Sequence, residues 1–423
     1  MIQLYNRGKY NIGSLISKMG EIRQKLIYFT LFLVLLFLIP AQMEAASEDE
    51  VKMVKMHESR ITNLQPLMVP EKISRFYYDS GLEFTYPDAV RGIYVTGPVA
   101  GGSRFQEILD LVENTDLNAM VIDVKEDNGN LTFRPEEGSP YEEFAHNYIS
   151  EPREMLELLE EKGIYPIARI VVFKDTLLAE KRPDLSFTKD GQVWKNGRQE
   201  AFVSPYQKEV WEYNVEIAKM AAELGFQDIQ FDYVRFPEGF EKRDEILTYS
   251  EGDYANSDLN GIKKRVEAVT DFVKYAKSEL EYYDVDVSVD IFGYSATIEE
   301  TPGIGQNFTK ISENVDVISS MIYPSHWTAY FGIDFPDKEP YRLVTEYSKV
   351  ENEVLGKLEN PPTSRPWIQD FEAPWLYTGP ATEYGIAEVE AQIKALNENG
   401  IEEFLIWNPV NRYTPGVDYT PLD

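Results

Sequence analysis

The 423-residue chain has no cysteine and only three histidines, His57, His146 and His326. Disulfides and thiolate metal sites are therefore excluded, and a zinc site built from several imidazoles is nearly so. Other signatures are missing as well. No Gly-x-Gly-x-x-Gly turn, no phosphate-binding Gly-x-x-x-x-Gly-Lys-Ser/Thr loop and no Gly-x-Ser-x-Gly elbow occurs. Basic residues are scarce against acidic ones, 41 to 72, for a net charge of −31. Such a chain repels nucleic acid and anionic lipid headgroups, and suits a neutral or cationic ligand. No long apolar run is present. The longest, Leu26–Ile39, falls short of the roughly 20 residues a membrane span needs.

What precedes and follows that run gives it a meaning. Arg7, Lys9, Lys18, Arg23 and Lys25 lie before it, and Pro40 and small residues come after. Residues 1–46 are expected to be an export signal or an uncleaved anchor, and the rest of the chain extracellular or at the cell surface. The membrane would be met only through this segment. Residues 47–86 are charged and irregular, and read as a spacer before a domain over 87–423.

From Pro87 onward eight strand-like runs appear: 90–97, 119–125, 165–173, 228–236, 286–293, 315–323, 365–371 and 402–407. Helical patterns separate most of them. Ser103 and Gln106 resemble a capping box for the first helix, and Ser150 a cap for the second, with Pro152 in its first turn. Val210, Ile217, Ala221 and Leu224 form a stripe that Gly225 stops. Ile262–Leu280, 341–358 and Ile386–Leu396 carry further apolar spacing. Alternating strands and helices imply a parallel sheet, and eight units imply a closed (β/α)8 TIM barrel. Connections from helix to strand are short and those from strand to helix are long. The elaborated face is thus the one on which such barrels carry active sites.

Polar residues gather where these runs end. Asp123 and Lys125 share a strand parity and should point the same way. Arg169 lies on the third run. The stretch Ile229–Pro237, which overlaps the fourth run, holds Asp232 and Arg235 among aromatics, where a carboxylate is costly unless paired or solvated in a pocket. Asp290 alternates with apolar neighbours on the fifth. Tyr323 and His326, with Trp327, follow the sixth. Trp367, Asp370 and Glu372 lie on the seventh, and Trp407 and Asn408 on the eighth. Several acids with Tyr, Trp, His and Asn fit glycoside hydrolysis, which needs two carboxyls across the scissile bond. The Glu126-Asp127-Asn128 cluster lacks a full calcium-loop pattern and reads as a solvated loop. No metal and no cofactor are expected.

The set Arg91-Gly92-Ile93-Tyr94, Ile122-Asp123-Val124-Lys125, Phe231–Pro237, Tyr323-Pro324-Ser325-His326 and Arg365–Asp370 resembles a family of TIM-barrel glycoside hydrolases in exported bacterial proteins. The resemblance covers roughly residues 88–412. It implies distant similarity to α-amylase and α-galactosidase barrels, in which an Asp on the fourth strand is the nucleophile. Asp232 matches that position. The acid/base of those relatives is often a Glu after the fifth strand, where this chain offers Asp290. The expected function is hydrolysis of a neutral or amino-sugar polysaccharide or oligosaccharide. Asp232 and Asp290 would be catalytic. Tyr94, Asp123, Lys125, Arg169, Arg235, Tyr323, His326, Trp367, Asp370, Glu372, Trp407 and Asn408 would hold the sugar. The alternative is a non-catalytic carbohydrate-binding barrel. Polysaccharide deacetylation is disfavoured by the missing His/Asp metal set.

Overall fold

A computed structural model of the chain describes residues 77–376 and 383–420. The expected signal or anchor, and the spacer as far as residue 76, lie outside the described residues. Eight parallel strands form the sheet: β1 (Arg91–Val95), β2 (Ala119–Lys125), β3 (Tyr165–Val171), β4 (Asp228–Asp232), β5 (Asp286–Phe292), β6 (Val317–Met321), β7 (Trp367–Gln369) and β8 (Phe404–Trp407). Each pairs with the next, β8 pairs with β1, and Trp367 opposite Met321 joins β7 to β6. The sheet is therefore a closed barrel. A barrel helix follows each of the first seven strands: α1 (Phe105–Glu113), α2 (Pro152–Glu161), α3 (Lys208–Leu224), α4 (Gly261–Leu280), α5 (Phe308–Ser312), α6 (Pro340–Leu355) and α7 (Ile386–Glu398), and short extra helices, Gly97–Ala100 and Thr176–Lys181, sit in the loops after β1 and β3.

Strand parity sorts the side chains into two cores. Outward residues such as Ile122, Ile170, Phe231 and Val289 pack against the helices. Inward Val90, Val121, Ile167, Trp367 and Leu405 fill the barrel. Helix ends are set by backbone geometry more than by the caps the sequence suggests. The N-cap of α1 is Arg104 rather than Ser103, without a side-chain cap bond. Gln106 is drawn off to Asp110 Oδ1 at 2.7 Å. Ser150 likewise does not cap α2, which starts at Pro152 behind Glu151. Gly225 ends α3 at φ +116°, where a Cβ would also meet Leu82 at 2.6 Å. Both facts require glycine.

The N-terminal mouth of the barrel is shut by an ionic layer. Arg365, fully buried, donates to Asp228 Oδ2 and to Glu403 Oε2, each at 2.7 Å. It also donates to the Tyr86 hydroxyl at 2.8 Å, which itself donates to Glu403 Oε1 at 2.8 Å. Residues 82–86, read from sequence as the end of a spacer, thus belong to the packed body. Leu82 is buried and Tyr86 serves as part of the plug. At its edge Asp286 accepts from Tyr165 Oη at 3.2 Å. Burial, then the charges of Asp228 and Asp316, push its carboxyl up to about 6. A carboxyl raised on folding loses stability as pH climbs from its unfolded value through its folded one. Asp286→Asn keeps the acceptor and drops the charge. It should stabilise the protein by about 1 kcal/mol at neutral pH and by nothing below about pH 4. Urea melts of both proteins at the two pH values would show it.

Candidate active site

The C-terminal mouth stays open because the strand-to-helix loops there are long: 172–207 after β3, 233–260 after β4 and 322–339 after β6. They wall a cleft of about 880 Å³ over the barrel. Asp232, Asp290, Arg169, Arg235, Tyr323, His326, Trp367 and Trp407 all line it. The β4–β5 ladder pairs Phe231 with Val289, so Asp232 and Asp290 follow at one level on neighbouring strands. Neighbouring strands are about 4.8 Å apart.

The two carboxyls are held differently. Asp232 Oδ2 accepts from Arg169 Nη2 at 2.6 Å and Nε at 3.0 Å, and Oδ1 accepts from the Tyr233 amide at 2.6 Å. Among the described residues no cation is ion-paired with Asp290. Trp367 Nε1 donates to its Oδ1 at 2.7 Å. Burial, followed by the charge of Asp232, holds the Asp290 carboxyl well above its ordinary value. The two carboxyls thus sit in different surroundings, one on a guanidinium and one beside an indole N–H, an asymmetry suited to acid–base chemistry between two carboxyls.

Arg169 is the hub of the cleft floor. It also reaches Asp123 Oδ1 at 2.7 Å and Asp127 Oδ1 at 2.9 Å. Its guanidinium lies over the rings of Tyr94 and Trp407, 5.4 Å from each centroid. Tyr94 and Asp123 sit beneath the cleft rather than on its surface. The Tyr94 hydroxyl donates to Asp123 Oδ2 at 2.6 Å, and its ring stacks on Trp407 at 4.1 Å. Burial raises the Asp123 carboxyl to about 6 against the pull of Arg169. Asp127 is not a merely solvated loop acid, since both of its oxygens are taken, by Arg169 and by Lys174 at 2.8 Å.

Other expectations fail for physical reasons. Lys125 does not share the face of Asp123, because a register shift between them rotates it out of the barrel. Its ammonium is fully buried 2.7 Å from Asp175 Oδ2, and donates to Val171 O at 2.8 Å and Asn214 Oδ1 at 3.0 Å. Asp370 points at the C-terminal segment, accepting from Thr414 Oγ1 at 2.6 Å and Thr414 N at 2.8 Å. Asn408 organises the turn after β8, donating to Asp370 O at 2.5 Å and Arg412 O at 2.7 Å. Glu372 is exposed and does not line the cleft. The run Ile229–Pro237 is a strand only as far as Asp232. Tyr233 takes φ +53° and breaks the alternation. Arg235 pairs with Glu238 at 3.2 Å, and its guanidinium covers the rings of Tyr233 and Phe292.

Arg198, Glu238 and Tyr294 also line the cleft, all from loops. Neither period nor turn chemistry marks such residues, so sequence reasoning had no signal for them.

A family model described as "Putative glycosyl hydrolase domain" matches residues 92–413. No curated protein sequence matches the chain. Among solved structures, a hypothetical protein from Ruminiclostridium thermocellum is 30% identical over 47% of this chain and 96% of its own, with a TM-score of 0.41. The PgaB (BpsB) glycoside hydrolase domain of Bordetella bronchiseptica aligns over 76% of this chain and 94% of that one, at 14% identity and TM-score 0.51. A β-galactosidase from the psychrophilic Marinomonas ef1 aligns over 75% and 54%, at 15% identity and TM-score 0.52. The last two share the barrel fold.

Proposed function

The chain belongs to a family of glycosyl hydrolases, and on that premise we propose that Asp232 is the nucleophile and Asp290 the general acid of a retaining cleavage. The observation that carries this reading is the unequal carboxyl pair at one level of β4 and β5. Asp232 is tied to a guanidinium, and Asp290 is pushed toward its protonated form by burial and by the Asp232 charge. With Trp367 Nε1 on Oδ1, the proton of Asp290 belongs on Oδ2. That proton goes to the glycosidic oxygen as the bond to the anomeric carbon breaks. An Asp232 oxygen takes the anomeric carbon and forms an ester. Water then attacks the ester, giving its proton to the Asp290 carboxylate, and Asp232 leaves. Carboxyls at one level of adjacent strands, whose backbones lie about 4.8 Å apart, fit the close retaining arrangement better than the wider inverting one.

The substrate class we propose is a neutral or amino-sugar glycan outside the cytoplasm. The cleft supports it. Its lining carries five acids, Asp127, Asp232, Glu238, Glu241 and Asp290, against three arginines, Arg169, Arg198 and Arg235, a balance that disfavours a polyanion. The location rests on residues 1–46 as an export signal or anchor.

The test is release of reducing ends by the full chain from a panel of bacterial wall and extracellular polysaccharides, with the first-formed anomer read by NMR. Retained configuration is expected, and an inverted product would remove Asp232 as nucleophile. Glycan binding with no release at any pH would remove the two-carboxyl mechanism altogether. The pH dependence has a definite sign. Asp290 must hold its proton, so kcat should fall on the alkaline side as that carboxyl ionises, and burial with the Asp232 charge should place that fall above the range of an ordinary aspartate.

A further inference from the structure

We propose that Phe371 and Trp375, outside the cleft, form an outer platform on which a sugar unit of the glycan stacks several units from the scissile bond. The proposal rests on the glycoside-hydrolase reading of the cleft and extends it to substrate length. It predicts that this enzyme handles long chains better than short ones.

The argument begins with exposure. Trp375 is 65% exposed, the most open large hydrophobic side chain among the described residues. Leaving an indole in water forfeits the burial that usually justifies its size. A loop-packing role does not account for it, because a packing ring would be covered. Among the described residues its ring partner is Phe371, near-parallel at 19° with centroids 6.4 Å apart. Two rings at that offset present a stepped apolar surface, the kind of face that pyranose C–H groups cover.

Position adds the second argument. Phe371 touches Tyr323 edge-on at 6.0 Å and His326 at 6.2 Å, and both of those line the cleft. Tyr323 in turn meets Trp407, above Arg169, at 6.4 Å. A continuous path of rings therefore leads from beside the carboxyl pair to Trp375. An isolated exposed aromatic would mean little, but one that ends such a path points to a chain leaving the cleft. A chain that lies along this path buries Trp375, and a short substrate never reaches it.

The experiment compares wild type, Trp375→Ala and Trp375→Phe on the most readily cleaved polysaccharide of the panel and on its purified two- and three-sugar fragments. Trp375→Ala should raise KM for the polymer about five- to tenfold with kcat little changed, and leave the short fragments unaffected. Trp375→Phe should recover most of the loss, since a ring face remains. Equal kinetics on the polymer would overturn the platform and leave the hydrolase reading standing. An equal loss on long and short substrates would also overturn it, by showing a general disturbance of the site. A change in sedimentation mass with unchanged KM would overturn it in favour of a contact between copies of the chain. Failure of wild type to cleave or bind any glycan of the panel would overturn the platform together with the reading on which it rests.

Discussion

Asp232→Asn should lower kcat by at least about 10³-fold while leaving glycan affinity within about twofold. The amide keeps the size of the carboxyl and removes the nucleophile. It is not silent in the ground state, however. Both oxygens of Asp232 act as acceptors, Oδ2 from Arg169 and Oδ1 from the Tyr233 amide. An asparagine supplies one acceptor and one donor, so either the Tyr233 amide or the two N–H groups of Arg169 must face an NH2. The cost should be about 1–2 kcal/mol of stability, far too little to unfold the barrel. A second consequence separates loss of chemistry from loss of structure. The charge of Asp232 is the second-largest influence raising Asp290, after burial. With that charge gone, Asp290 should titrate at lower pH. The alkaline limb of any residual activity should move acidward, which a disordered site would not produce. Turnover in Asp232→Asn close to that of wild type would refute the assignment.

Much of this arrangement is written in the sequence in a form that elementary rules can read. Alternation of apolar runs of strand and helix type, with short returns and long forward loops, gives the barrel and its working face. Parity then places Asp123, Arg169, Asp232 and Asp290 inside, because an uninterrupted strand leaves no other choice. The same rule fails where the backbone departs from a regular strand. The register shift after Asp123 sends Lys125 outward, and the positive φ of Tyr233 ends β4 four residues before the aromatic run does. Neither residue type announces this. A lysine inside a barrel and a lysine under a helix need the same thing, a buried carboxylate, and which one it meets depends on Asp175, fifty positions later. Asp370 and Asn408 were misplaced for a related reason. Acceptors that tie down a C-terminal segment have the composition of a sugar-binding site and differ only in what they face. The hub role of Arg169 was not legible, since no spacing rule links residues 123, 127, 169 and 232.

That hub carries the other large effect. Arg169→Met should destabilise the protein by about 3–5 kcal/mol and abolish activity. Methionine fills the space but leaves Asp123 and Asp232 buried without a counter-charge, and each is only slightly exposed, 3% and 5%. The tool that separates this from simple loss of packing is pH. Asp123 already has its carboxyl raised to about 6 by burial, with Arg169 as the main opposing influence. Without the guanidinium the carboxyl must rise further. A carboxyl raised on folding destabilises increasingly as pH climbs through its folded value, and does so least where both states are protonated. The deficit of the variant should therefore be largest at about pH 8 and should shrink by about pH 4 to 5, where the freed acids can take up protons. A packing defect would be flat across that range. Arg169→Lys sharpens the comparison. It restores one positive charge, so most of the stability should return, but a single ammonium cannot reach Asp123, Asp127 and Asp232 along separate N–H directions as the planar fork does. Asp232 would lose its two-pronged grip, and kcat should stay depressed by about tenfold or more even as the melting temperature recovers. Recovery of both together would mean that Arg169 supplies charge alone; recovery of stability without kcat would mean that it also aims the nucleophile.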